Sequence, residues 1–234
     1  MSEHQLYDLT QELSANAYPG RGILIGTRPG GEPLIVYFIM GRSDNSRNRV
    51  FVPDALEVII EPFDLAKVED PSLIIYRPLK QLDQQLIISN GDQTDTIYQA
   101  LLTGGSFDSA LRSRRFEPDA PNFTPRISGL LDERTGHYRL SILKAADAQG
   151  QRCDRQFFEY EAAPGIGHFI HTYAQDGNPL PSFKGEPLKV SIPQDMAGFA
   201  AALWQALNHD NRVALLARSA GQLRVHNRQI RRDA

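Results

Sequence analysis

Residues 33–40 read Pro-Leu-Ile-Val-Tyr-Phe-Ile-Met, residues 42–49 carry no apolar side chain, and an apolar run resumes at Val50. Short apolar runs bounded by Gly, Pro and Asn read as strands. That pattern predicts strands at 23–26, 34–40, 50–52, 58–60, 73–76, 86–89, 126–131, 138–143, 155–160, 167–173 and 213–217. The turn-forming stretch 27–32 joins the first two into a hairpin, and Asn90-Gly91 marks another turn. Helical spacing occurs in three places. Leu6, Leu9 and Leu13 recur within 3–15, and 94–111 reads as helices broken at Gly104-Gly105. Residues 193–208 place Met196, Phe199, Ala200, Leu203, Trp204 and Leu207 on one face. The end from Gly221, with Arg224, Arg228, Arg231 and Arg232, reads as a solvated tail.

Consecutive strands with grouped helices predict an α+β fold of mostly antiparallel sheets covered by helices. No repeat, low-complexity linker or composition break divides the chain, so a single domain over 1–234 is expected. A formal net charge of -3 speaks against a general nucleic-acid or membrane binder. No 18-residue apolar stretch is present, so no transmembrane helix is expected. The first residues lack the basic-then-apolar pattern of a secretory signal. Cys153 is the single cysteine, which excludes an intrachain disulfide and fits a cytoplasmic setting.

Four polar clusters are candidates for chemistry. In 42–49, Arg42, Arg47 and Arg49 offer planar donor forks that match phosphate or carboxylate, and Ser43, Asn45, Ser46 and Asn48 add neutral hydrogen bonds. If that segment is extended, Arg47 and Arg49 share a face and Asn48 takes the other. In 89–95, Asn90-Gly91 forms a turn, Asp92 or Thr94 caps a helix, and Asn90 and Asp95 are candidate ligand contacts. In 116–126, three prolines stiffen a loop holding Glu117, Asp119, Asn122, Thr124 and Arg126. The plain alternative for Glu117 is a surface pair with Arg114 or Arg115. The fourth cluster holds His168 and His171. Three apart on a strand, they point to opposite faces and make a poor metal pair. No Gly-x-Ser-x-Gly nucleophile motif occurs, and Gly165-Ile-Gly167 lacks the third glycine of a dinucleotide fingerprint.

The segments YPGRGILIG, MGRSDNSRNRVF, LIISNGDQTD, TPRISG and PLPSFKGEP fall in an order that resembles the archaeal-type IMP cyclohydrolase family, from about Tyr18 to Ala217. The segment before Tyr18 and the arginine-rich end look like additions. The resemblance implies a four-layer αββα sandwich akin to N-terminal-nucleophile hydrolases. It also implies closure of the purine ring of a formamidoimidazole carboxamide ribonucleotide, with loss of water, to give IMP. No metal or organic cofactor is implied. The partner is a small purine nucleotide, with neither nucleic acid nor membrane, and a homo-oligomer is left open. Under the resemblance Arg42 stabilises the developing oxyanion, Tyr76 donates or relays a proton, and Glu117 transfers one. Arg21, Ser43, Asn45, Arg47, Asn48 and Arg49 hold phosphate or ribose. Asn90, Asp95, Asn122, Thr124 and Arg126 read base or ribose. A non-catalytic purine-nucleotide-binding paralogue is the alternative; an amide hydrolase using Cys153 or a metal is disfavoured by spacing.

Overall fold

A computed structural model of the chain describes residues 5–68 and 75–230. In chain order the elements are α1 (Leu9–Ala15), β1 (Arg21–Thr27), β2 (Pro33–Met40), α2 (Asp44–Arg47), β3 (Val50–Asp54), β4 (Glu57–Glu61), β5 (Leu79–Leu82), β6 (Gln85–Ser89), α3 (Gln93–Leu102), α4 (Phe107–Arg112), β7 (Arg126–Asp132), β8 (Tyr138–Ala145), β9 (Cys153–Tyr160), β10 (Ile166–His171), β11 (Leu188–Ser191), α5 (Met196–Ala206), β12 (Arg212–Ser219) and β13 (Gln222–Asn227). The described strands form two sheets, ordered β11-β10-β1-β2-β12-β13 and β3-β4-β5-β6-β7-β8-β9. Pairing between neighbouring strands is antiparallel throughout. The α+β expectation with antiparallel sheets is met. No described helix is long and apolar enough to cross a membrane.

Alternation along each strand distributes the side chains between cores. On β2, Ile35, Tyr37 and Ile39 face the second sheet, while Leu34, Val36, Phe38 and Met40 face outward, where α1 and α5 cover them. On the second sheet, Leu86 and Ile88 of β6 face inward, and Ile87 packs with Ile97, Phe107 and Leu111 of α3 and α4. Burial on both faces explains why these strands read as continuous apolar runs rather than as alternation.

α5 follows its expected face: Met196, Phe199, Ala200, Leu203, Trp204 and Leu207 are all buried, and Asp195 caps the helix by accepting from the Gly198 amide at 3.1 Å. Leu203 has no exposed surface. Leu203→Ala is expected to cost about 2–5 kcal/mol, read as a lower midpoint in chemical denaturation with an unchanged slope.

Other expectations are corrected. The first helix starts at Leu9, not near residue 3, because the Asp8 carboxylate accepts from the Thr10 amide and stops it there. The preceding stretch is drawn onto β11: the Tyr7 amide donates to the Lys189 carbonyl, and Leu6 is left exposed. β5 and β11 are four residues each, too short and polar to register as apolar runs. The part of the arginine-rich end that is described is no solvated tail. It forms β13, which pairs with β12 from Ser219↔Gln222 to Ala214↔Asn227, and Leu223 and Val225 pack on the inter-sheet core. Arg231 and Arg232, and residues 73 and 74 of the strand expected at 73–76, lie outside the described residues. Tyr76 itself belongs to no strand, although its carbonyl accepts from the Ile60 amide at 2.9 Å.

β2 belongs to the first sheet and β3 to the second, so residues 41–49 carry the chain across the mouth of the sandwich. The loops that follow β6 and precede β7 open at the same mouth.

Candidate functional site

The crossing is not extended. Ser43 caps the single turn α2, its Oγ accepting from the Ser46 amide at 3.2 Å while Ser46 Oγ accepts from the Ser43 amide at 3.0 Å. The turn breaks the alternation that would have put Arg47 and Arg49 on one face. Arg47 instead donates through Nε to the Gly41 carbonyl at 3.0 Å and borders a separate hollow with Lys67 and Arg228. Asn48 exchanges hydrogen bonds with the Asp64 backbone at 2.8 and 2.7 Å, tying the crossing to the loop after β4. Arg42 turns outward as well: Nη1 donates to Asp176 Oδ1 at 2.6 Å and to the Gly177 carbonyl at 2.9 Å, and the guanidinium lies 5.1 Å over the Tyr18 ring.

Arg49 turns inward. It lines a cavity of about 300 Å3 together with Arg21, Ser43, Asn45, Ser46, Asn90, Glu117, Pro118, Asp119 and Thr124. Arg21 is aimed by its neighbour: Gly20 has φ +79, and a Cβ there would sit 2.3 Å from Thr172 Oγ1. That hydroxyl oxygen accepts from the Arg21 amide at 3.1 Å. Among the described residues neither Arg21 nor Arg49 has an ion-pair partner, and the buried Arg49 Nε has no hydrogen-bond partner. Burial, and then the charge of Arg21, pulls the Arg49 guanidinium below its ordinary pKa. Behind the arginines the Tyr37 and Tyr76 hydroxyls meet at 3.1 Å. Burial raises both phenols, so they are neutral donors near pH 7.

Glu117 forms the opposite wall. Its side chain is 18% exposed, and burial raises its pKa against the opposing pull of Arg126 and Arg21. Arg126 donates to Glu117 at 3.0 Å and also to Asp92 and to Gln93 Oε1. The fully buried Gln93 donates in turn to Asn90 Oδ1 at 3.0 Å, and that oxygen also accepts from the Ile127 amide at 2.9 Å. Gly91 lies against this network: a Cβ would come 2.7 Å from Arg126 Nη1 and 2.6 Å from Gln93 Oε1. Gly91→Ala is therefore expected to cost about 1–3 kcal/mol by overpacking, visible as a lowered melting temperature, and to displace Glu117 through Arg126.

Of the residues singled out from sequence, the cavity brings together Arg21, Ser43, Asn45, Ser46, Arg49, Asn90, Glu117, Asp119 and Thr124. Tyr76 lies within electrostatic reach of Arg49, Arg21 and Glu117. Arg126 stands behind Glu117 and is its partner, in place of Arg114 or Arg115; Arg114 pairs with Asp92, and Arg115 donates to the Gly150 and Gln151 carbonyls. Arg42, Arg47, Asn48, Asp95 and Asn122 are not brought to the cavity. Asp95 is on α3, paired with Lys80 at 2.9 Å, and Asn122 accepts from the Leu180 amide at 3.0 Å. Asp92 precedes α3 without capping it, because its carboxylate serves Arg114 and Arg126. Tyr37 was missed: a lone phenol in an apolar run is the only signal it gives. Asp119, also in the cavity wall, holds the Thr124 amide and hydroxyl five residues on. The two histidines do take opposite faces. His168 accepts from or donates to the Tyr138 hydroxyl between the sheets at 2.6 Å, while His171 stacks on Phe169 of the outer face.

The sequence model of the "IMP cyclohydrolase-like protein" family matches residues 18–222. The chain is 32% identical to the IMP cyclohydrolase of Methanocaldococcus jannaschii over 174 residues, covering 72% of this chain and 81% of the relative. It is 34% identical to the IMP cyclohydrolase of Methanopyrus kandleri over 122 residues, covering 50% of this chain and 60% of that one. A third, from Methanococcus aeolicus, is 30% identical over 67% of this chain and 74% of its own length. With nearly the whole span from the first strand to the last matched, the chain belongs to the IMP cyclohydrolase-like protein family.

Proposed function

We propose that this protein is an IMP cyclohydrolase and that the cavity between Arg21, Arg49 and Glu117 is where it works. One observation carries the site: two guanidiniums without ion-pair partners among the described residues share a cavity with a raised-pKa carboxyl. Cations left unpaired in a hollow imply that the missing partner is an anionic ligand. A ribonucleotide 5′-phosphate supplies that charge. Arg21 and Arg49 grip it, and Ser43 and Asn45 add neutral hydrogen bonds.

The reaction needs no redox partner. The carboxamide nitrogen attacks the formyl carbon, a C–N bond forms, and the formyl oxygen gains charge and then a proton. The carboxamide nitrogen gives up one proton as that oxygen gains one; the formamido nitrogen then loses its own, a C=N bond forms as the C–O bond breaks, and the hydroxyl leaves with this second proton as water. Both reacting groups already sit on one molecule, so alignment supplies much of the acceleration. Tyr76, neutral because it is buried, donates to the formyl oxygen as charge develops. Glu117 takes the formamido proton and returns it to the departing hydroxyl, which suits a carboxyl whose pKa burial raises. The family resemblance implies an αββα layering akin to that of N-terminal-nucleophile hydrolases, but the strand that would present their nucleophile opens here with Arg21, which cannot serve as one.

Incubation with the formylated imidazole carboxamide ribonucleotide, followed by ultraviolet absorbance, tests the reading. Conversion to IMP is expected; tight IMP binding without conversion would assign the protein to the non-catalytic alternative. The outward course of Arg42 revises its role. Arg42→Ala breaks an exposed ion pair with Asp176, worth at most about 1 kcal/mol, so kcat and KM are expected to change less than about fivefold.

A further inference from the structure

A second cleft, of about 500 Å3, opens between α1 and the outer face of the first sheet, with Glu12, Asn16, Phe169, His171 and Asp176 in its walls. Two of its polar side chains, His171 and Glu12, offer acceptors without a paired donor, and Gln175 also lines it. His171 is 7% exposed, and its Nδ1 lies 2.8 Å from the Tyr173 carbonyl. A carbonyl oxygen only accepts, so Nδ1 carries the proton and Nε2 keeps a lone pair. Among the described residues Nε2 has no hydrogen-bond partner, although the ring is fixed between Phe169, stacked at 5.1 Å, and the edge of Phe183 at 4.5 Å. The Glu12 carboxylate likewise has no ion pair among the described residues. The Asn16 amide is partly committed: Nδ2 donates one of its two hydrogens to the Ala174 carbonyl, and Oδ1 accepts from the Tyr18 amide. Asp176 and Arg42 neutralise each other at the rim, leaving the cleft with the negative charge of Glu12.

A lone pair on a largely buried ring, facing the same cleft as an unpaired carboxylate and an aromatic wall, suits a ligand that brings N–H donors and positive charge. We propose that this cleft binds a small organic cation, an alkylamine or guanidinium whose N–H groups reach His171 Nε2 and the Glu12 carboxylate while its carbon chain lies on Phe169. The volume suits such a molecule. Glu12 and Asn16 precede residue 18, where the family match begins, while Phe169 and His171 lie within it.

Titration calorimetry on the full chain with putrescine, and with butanediol as its uncharged counterpart, tests the proposal. Saturable binding of putrescine alone is expected, about tenfold weaker in Glu12→Gln and in His171→Phe, which keeps the ring stack. Glu12 is at the edge of a surface helix, so its variant reports on binding even if the histidine variant fails to fold. Saturating IMP should leave putrescine binding unchanged, whatever the protein's catalytic activity. Absence of saturable heat, equal binding of butanediol, undiminished binding by Glu12→Gln, or displacement by IMP would each overturn the assignment.

Discussion

Glu117→Gln is expected to lower kcat by about 10²–10⁴-fold while leaving nucleotide affinity nearly intact. Glutamine keeps the shape and a hydrogen bond to Arg126 but can neither take nor return a proton. The pH profile carries a second signature. Burial raises the Glu117 pKa, so the acid limb of kcat/KM should lie above the ordinary carboxylate range. The Asp92 carboxylate contributes to that elevation and shares Arg126. In Asp92→Asn one negative charge is gone and Arg126 turns wholly to Glu117, so the limb should move to lower pH. Stability follows the same sign. A carboxyl whose folded pKa is raised contributes stability that is fully present below the unfolded pKa, near 4.3 for Glu, and lost as pH rises through the folded value. Glu117→Gln should therefore raise the melting temperature at neutral pH and gain nothing in acid. A variant that retains full turnover, or an acid limb that ignores Asp92, would remove Glu117 from the proposed chemistry.

Arg49→Met gives the other large effect. Loss of a desolvated charge contact of this kind costs about 2–5 kcal/mol of binding, roughly 30-fold to several-thousand-fold in Kd for IMP. The ligand-free variant is expected to melt higher than the parent, because a buried cation without a partner, beside the like charge of Arg21, is replaced by an apolar chain of similar length. Calorimetry with IMP and thermal melts without it check both halves. Unchanged affinity would place the anion elsewhere. Arg47→Met serves as the contrast, since that guanidinium is spent on the Gly41 carbonyl outside the cavity.

Where apolar runs and apolar helical spacing dominate, the chain announces its structure. The β1–β2 hairpin, the β7–β9 meander and α5 follow from side-chain pattern because packing on two faces demands it. β13 stayed hidden because its Arg224 and His226 alternate with Leu223 and Val225 on a half-exposed edge, and α1 started late because Asp8 caps its N-terminus. In the site, composition located the right segments but not the right side chains. One helical turn at 44–47 separates Arg49 from Arg47, and a carboxylate 134 residues away draws Arg42 outward. Both are tertiary decisions that no local spacing records. Arg21 was legible only as an arginine between two glycines; the positive φ at Gly20 is what aims it.

The cavity draws Arg21 from one sheet, Asn90 and Thr124 from loops of the other, and Arg49 from the strap between them. Nucleotide affinity is thus a gauge of how closely the two halves of the sandwich are docked. Mild acid or low denaturant that swells the interior while sparing the hydrogen-bonded ladders would silence binding before the far-ultraviolet dichroism changes.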